Sequence, residues 1–563
     1  MKKTILLLSF LFYLITIPST AQNPKWFKKA AKAQITIQTF DGEDNELHQG
    51  FGFFVDKNGT AIADFELFKS AAKATVKDAD GNNYEVNVII GASSLYDLVK
   101  FRVKTDKETP YLTISERIGV NKEHVYILPY PTREKQVCLN DTLKHVNKFN
   151  EQYGYYTLGR MLEDAFLNSP VMDDEGEVIG LIQRHSGKSA NAAYAISATY
   201  ANTLHTKAMS ATDNDLNSIL IRKSLPNNEE EARTFLYIIS SRTDANTYLD
   251  YLNEYVQKFP KSSDPFLQRA DYYLANNNYP AAENDLNTAI NIASDKANAY
   301  YTYSKLIYEL NLNQNYTQYK DWDMKKAYDM SVKAYNINPL PLYIAQQGNT
   351  LYALKEYDAA AEKFISLSNT NMRSADYFLY AAQCKKMAQA PDSVILSLQD
   401  SAVACFTKPY IKEAAQSLFE RYNTLLKMER YREAVLDMND YEHLMLNDLT
   451  DYFYYLREQA EMKCRMFQQA VDDIDRAVRM NPNEAIYHAE RAVVYYRIGE
   501  FAEALKAAEK STQLSNDFAD AYRIMGICQI ELGDDTSAQK SLKKAADLGD
   551  ESAQQILQQK YGN

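Results

Sequence analysis

Near the end of the chain three pairs of small residues stand 34 positions apart: Ala492 with Gly526, Gly499 with Gly533, and Ala504 with Ala538. A chain that copies itself at such a period cannot close around one core. Each copy is a supersecondary unit that hides its apolar face only by stacking on the next. One step back, Ala470, Ile474, Ala477 and Pro482 fill the corresponding small, large, small and terminal positions, and Ala270, Tyr273, Ala282, Leu286 and Ala289 repeat the spacing near residue 270. From about Glu229 onward Ala, Leu and Tyr recur at i, i+3, i+4 and i+7, the mark of helices with one buried face. Nine helix pairs are expected, at 229–261, 262–294, 295–340, 341–370, 373–407, 408–445, 448–482, 483–516 and 517–549, with an insertion at 311–323.

These residues resemble the tetratricopeptide repeat, whose pattern runs large apolar, small, aromatic, then Ala, large apolar, Ala and Pro. The small residues let two antiparallel helices approach, the large ones fill the gaps, and Pro ends the second helix. The resemblance implies an all-α superhelix over 229–563 that binds extended peptides or helices of a protein partner. Tyrosine supplies 43 residues, 32 of them after position 210, and most of these are expected to pack between helices while a minority lines the groove.

Residues 22–208 read differently, as short alternating or β-branched runs at 33–40, 52–55, 84–90, 98–103, 124–128 and 177–182, separated by turn signals such as Asp56-Lys57-Asn58-Gly59. Many short strands at close spacing predict an all-β barrel or sandwich. The polar stretch 209–228, with Pro226, is the expected linker. Three segments of this β region resemble trypsin-like serine proteases of the chymotrypsin fold. Gly50-Phe51-Gly52-Phe53-Phe54-Val55 followed by Ala63-Asp64-Phe65-Glu66-Leu67-Phe68 is similar to the strands that lead into the catalytic histidine, Asp97-Leu98-Val99 to the strand that carries the triad acid, and Ala165-Phe166-Leu167-Asn168-Ser169-Pro170-Val171 to the nucleophile loop. Ala193-Tyr194-Ala195-Ile196-Ser197 is similar to the last barrel strand. The fold class implied is a double β-barrel followed by an α-helical superhelix.

Carried across residue by residue, the triad fails. Glu66 stands at the histidine position, Leu167 at the nucleophile and Ala165 at the oxyanion-loop glycine, while Asp97 keeps the acid. Leucine has no nucleophilic atom, and a carboxyl that ionises near about 4.3 does not perform the two-way proton transfer of an imidazole at neutral pH. A Cβ at Ala165 hinders the turn that aims two N–H groups at an oxyanion. No catalytic residue is therefore expected, the weak alternative being Ser169, which matches the small residue two positions after the nucleophile. His48, His124, His145, His185 and His205 are available bases off the motif, and Glu66 with Asp97 would form a carboxylate pair if the two meet.

Composition narrows the partners. A net charge of -12 and a pI near 5.3 exclude a general nucleic-acid binder, which needs basic surface. Cys138, Cys384, Cys405, Cys464 and Cys528 are sparse and unpaired in spacing, and the seven histidines form no metal motif, so neither a disulfide framework, a metal nor a cofactor is expected. Lys2 and Lys3, an apolar run from Ile5 to Ile17 and the small residues Ser19, Thr20 and Ala21 read as a signal peptide over 1–21. No later apolar run reaches spanning length, so the expectation is an exported chain, periplasmic or secreted, without an integral membrane segment. The function expected is a protein-binding scaffold with a catalytically inactive trypsin-like domain. The alternatives are a divergent secreted serine endopeptidase with a rearranged site, or an accessory subunit of an outer-membrane assembly or nutrient-uptake complex.

Overall fold

A computed structural model describes residues 23–130, 137–149, 152–183, 192–313, 316–446 and 448–562. The expected signal peptide at 1–21 and His185 lie outside the described residues. The chain divides into two compact units, residues 1–269 and 270–563.

The first unit opens with six strands, β1 (Gln34–Phe40), β2 (Glu46–Phe54), β3 (Thr60–Ala63), β4 (Lys73–Asp78), β5 (Asn83–Ser93) and β6 (Leu98–Val103), closed in the order β1-β2-β3-β6-β5-β4. Six more, β7 (His124–Ile127), β8 (Leu139–Phe149), β9 (Tyr153–Leu158), β10 (Pro170–Met172), β11 (Val178–Ile182) and β12 (Tyr194–Ser197), close as β10-β11-β12-β9-β8-β7. Closure follows from alternation. Ile35 and Ile37 on β1, Phe54 on β2, Ala61 and Ala63 on β3, Val76 on β4 and Phe101 on β6 turn into one core. Val125, Leu143, Tyr156, Leu158, Val171 and Ile179 fill the other. A third apolar layer joins the barrels: Phe53, Ile62 and Leu98 of the first meet Met172, Leu181 and Ile196 of the second. Gly52 is fixed by this packing, because a Cβ there would stand 2.5 Å from the Ile62 carbonyl oxygen.

The stretch 209–228 is built into the fold. It forms a 3-10 turn, Ala208–Thr212, and a short helix, Asn214–Asn217, then sends Leu216, Ile219 and Ile221 into the core of the first barrel. Its backbone pairs with β5: Ile89 N–H donates to the Arg222 carbonyl and Ser224 N–H to the Ile89 carbonyl, both at 2.8 Å. The helices Glu229–Ile239 and Ala245–Lys258 follow. They are held by Lys223 N–H to the Tyr251 hydroxyl (3.1 Å), Leu225 N–H to Glu254 Oε1 (3.0 Å) and Lys258 Nζ to the Leu225 carbonyl (2.6 Å).

Beyond them the chain is helical, and each of the nine expected segments holds two helices among the described residues, the last being Ala519–Glu531 with Asp535–Asp547 before a terminal helix Glu551–Tyr561. The small repeat residues do what their spacing requires. Ala270, Ala282, Ala289, Ala470, Ala477, Ala492, Ala504 and Ala538 are fully buried, and a Cβ on Gly526 would stand 2.7 Å from Leu542 Cγ. Pro482 follows the end of the helix Phe467–Met480, where it cannot continue the ladder.

The turn between paired helices repeats as well. Two residues past the first helix the backbone is left-handed at Asn277, Lys355, Gln389, Glu429, Arg465, Gly499 and Gly533. The next N–H reaches back five residues: Glu356 to the Leu351 carbonyl, Arg430 to Leu425, Met466 to Glu461 and Glu500 to Tyr495, at 2.8–3.0 Å. This paired closure satisfies the last carbonyls of the first helix and aims the chain into the second.

Candidate functional site

At the join of the barrels the sequence-predicted positions converge. The end of β3 runs into a short helix, Phe65–Phe68, that carries Glu66 on its exposed side, its carboxylate 3.5 Å from Lys69 Nζ. Asp97, left-handed at φ 47° just before β6, turns Oδ1 onto the Glu66 backbone N–H at 3.1 Å. Helix capping is thus one task of the retained acid: its oxygen satisfies a first-turn donor.

The nucleophile loop closes the group. A 3-10 turn, Asp164–Phe166, delivers Leu167, half-buried, and Asn168, left-handed at φ 52°. Asn168 is tied on three sides: N–H to the Ile182 carbonyl (2.9 Å), Nδ2 to the Asp97 carbonyl (3.4 Å), and its own carbonyl to the Tyr130 hydroxyl (3.0 Å). Sequence reasoning missed this residue, whose signal was its place where the resembling motif has glycine. Ser169 is fully buried, its N–H donating to the Phe166 carbonyl (3.0 Å) and its Oγ without a hydrogen-bond partner among the described residues. Tyr130 stacks on Phe51 at 4.9 Å, and burial followed by the charge of Asp64 pushes its phenol well above the ordinary value. His124 is engaged with Asp174, Nδ1 to Oδ1 at 3.0 Å. The arrangement joins the two barrels through polar contacts at the motif positions. The hydroxyl it offers in the loop is shut away from solvent.

The helical unit offers a different surface. A cavity of about 380 Å³ is lined by Tyr308, Asn349, Tyr352, Phe364, Tyr380 and Gln383. All but Phe364 come from the first helices of three consecutive pairs, Lys296–Leu312, Pro341–Ala353 and Ala375–Met387. A second cavity, about 310 Å³, shares Tyr380 and Gln383 and continues to Gln416 and Glu420 on Ala415–Lys427. Rings and amides share this line. Rings give stiff apolar contact at small entropic cost, and an amide both donates to and accepts from a peptide backbone. The 34-residue step from Asn349 to Gln383 was a readable signal.

Further along, Arg457, Glu458 and Glu461 are buried on the helix Asp451–Lys463. Arg457 grips Asp473 twice (2.6 and 2.8 Å) and Glu442 at 2.7 Å. Burial, then the charge of Glu490, pushes the Glu458 carboxyl up to about 8, and burial with the charge of Asp473 does the same for Glu461. Among the described residues no cluster of His, Cys, Asp or Glu has the shape of a metal site, the five cysteines are unpaired, and no helix is long and apolar enough to cross a membrane.

Two closed six-stranded barrels with the motif positions gathered at their join, followed by stacked helix pairs, define a trypsin-like double-barrel domain linked to tetratricopeptide-type repeats. Residues 50–181 match the family model of the trypsin-like peptidase domain. DnaJ homolog subfamily C member 7 of Mus musculus is 32% identical over 97 residues, 17% of this chain and 19% of that protein. The Hsp70-Hsp90 organizing protein of Triticum aestivum is 25% identical over 220 residues, 38% of this chain and 36% of that protein. Small glutamine-rich tetratricopeptide repeat-containing protein 2 of Saccharomyces cerevisiae is 24% identical over 95 residues, 17% of this chain and 28% of that protein. The chain thus spans about a fifth to a third of the length of these relatives.

Proposed function

We propose that this protein is an exported scaffold in which a catalytically inactive trypsin-like domain is joined to a protein-binding helical superhelix. One observation carries the reading: the nucleophile position holds Leu167, and the hydroxyl two residues on, Ser169 Oγ, is fully buried. A serine that no substrate reaches does not acylate. Binding is led by the repeats, where rings and amides line adjoining cavities, and the similarity to a protein named for organizing Hsp70 and Hsp90 supports a protein partner. The barrels close their edges, which removes strand addition as a second mode of capture. Export rests on the charged, apolar and small-residue pattern of 1–21 and places the protein in the periplasm or outside the cell.

Purified protein is incubated with denatured casein and a serine-reactive fluorophosphonate. No cleavage and no labelling are expected. Labelling that disappears in Ser169→Ala overturns the reading in favour of the divergent endopeptidase. Crosslinking in the native host, repeated with Tyr352→Ala and Tyr380→Ala together, identifies the partner, and undiminished capture by the double variant refutes binding along this line of the superhelix. Recovery of an outer-membrane complex would assign the scaffold to assembly or uptake. N-terminal sequencing of the mature protein is expected to begin at Gln22.

A further inference from the structure

Where the segment after the barrels meets the helices Glu229–Ile239 and Ala245–Lys258, a cavity of about 420 Å³ opens. Ile221, Phe235 and Ile239, all buried, give it an apolar wall, and Arg222, Lys223 and Arg242 a cationic one. No lining residue is acidic, in a chain whose net charge is -12.

The partners of the three cations differ. Arg222 is neutralised, its Nη1 2.8 Å from Glu254 Oε2 and its guanidinium over the Tyr251 ring. The Lys223 ammonium has only carbonyls, those of Ile219 and Ile221, and no carboxylate among the described residues. Arg242 Nη1 donates to the Ala211 carbonyl at 3.4 Å, leaving the rest of its fork without a carboxylate among the described residues. The carboxylate of Asp244 on the adjoining helix is spent on Asn246 N–H, Thr247 N–H and the Thr247 hydroxyl. Tyr251 accepts the Lys223 N–H and so keeps its own proton to donate. Two cations without counter-charge therefore border a half-enclosed space with an apolar back wall. The desolvated ammonium of Lys223 calls for charge of the opposite sign, and the exposed Arg242 fork stands at the mouth beside it.

We propose that this cavity binds a small organic anion, its charged head between Lys223 and Arg242 and its apolar body against Phe235 and Ile239. Burial holds the Lys223 amine down at about 8, and an anion beside it raises that value, so binding near pH 8 takes up protons.

Isothermal titration of the full chain tests this with three probes: octanoate, which has head and body; inorganic phosphate, which has the head alone; and octanol, which has the body alone. Octanoate is expected to fill one site, phosphate to bind more weakly, and octanol to leave no saturable signal. The exposed Arg242→Gln and the methylene-preserving Lys223→Met should each weaken octanoate about tenfold, the effect of one charge-assisted hydrogen bond. The binding heat at pH 8 should vary with the buffer's ionisation enthalpy in the native chain and not in Lys223→Met. Octanol binding as tightly as octanoate, equal octanoate affinity in native and variant chains, or no octanoate and phosphate binding at millimolar concentration overturns the proposal.

Discussion

Neutralising Glu458 should stabilise the helical unit, and more so as pH rises. In the native chain burial and the charge of Glu490 lift its carboxyl from the ordinary 4.5 to about 8. Between those values the folded chain holds a proton that the unfolded chain has released, so stability falls with increasing pH across this window and levels off above about 8. One pKa unit corresponds to about 1.36 kcal/mol, so the cost is about 3 kcal/mol at pH 7 and about 4 kcal/mol at pH 8, levelling at about 5 kcal/mol above it. Glu458→Gln keeps the shape and the acceptor used by Gln459 Nε2 and removes the titrating proton. Urea unfolding of the full chain, followed by the helix signal from pH 6 to 9, should show a native midpoint that drops as pH rises. In the variant the slope should be reduced to what Glu461 and Glu490, both raised by burial, leave. A native midpoint that holds steady or rises over this range, or a variant less stable than native at pH 8, refutes the reasoning.

Other substitutions test the packing and the join. Arg465→Gly relieves a left-handed residue at φ 63° and should stabilise by about 0.5–1 kcal/mol, while Gly499→Ala at φ 84° should lose about 1 kcal/mol, both read from urea midpoints. Gly526→Ala drives a methyl to 2.7 Å from Leu542 Cγ and 3.2 Å from the Ala538 carbonyl, and should cost about 1–3 kcal/mol in the same assay. Asp97→Ala should lower the stability of the barrel unit by about 1–2 kcal/mol by removing the acceptor of Glu66 N–H, whereas Asp97→Asn, which keeps an acceptor and tolerates a positive φ, should cost less than about 1 kcal/mol.

What could be read from the sequence was whatever local pattern and burial both dictate. β1 and β6 alternate because one face fills a barrel, and Ala470, Ala504 and Ala538 recur because helices touch there. β8 was illegible. Leu-Asn-Asp-Thr-Leu-Lys-His-Val-Asn-Lys-Phe is too polar to announce a strand, and it becomes one because β7 and β9 pair with it on either side. The left-handed turns were legible only at Gly499 and Gly533. At Lys355, Gln389, Glu429 and Arg465 the helix pair imposes a conformation the residue itself disfavours. Glu458 stands 34 residues before Ala492 and 68 before Gly526, so the repeat pattern called for a small residue where the chain buries a carboxyl. At the barrel join Glu66, Asp97 and Leu167 came from motif order. The Asn168 side chain that links this loop to Asp97 depends on a fold bringing residues 71 apart together, which no local pattern encodes.

The apolar residues Leu216, Ile219 and Ile221 that complete the first barrel have a consequence for synthesis. A chain emerging from the ribosome at about 5–20 residues per second presents all six strands of that barrel long before these side chains appear. Its core stays short of three residues until more than a hundred further positions have been made, among them every strand of the second barrel. The barrel that comes first in the sequence is therefore the one completed last, and a chain truncated at residue 208 would carry every strand of the second barrel beside a first barrel that lacks Leu216, Ile219 and Ile221.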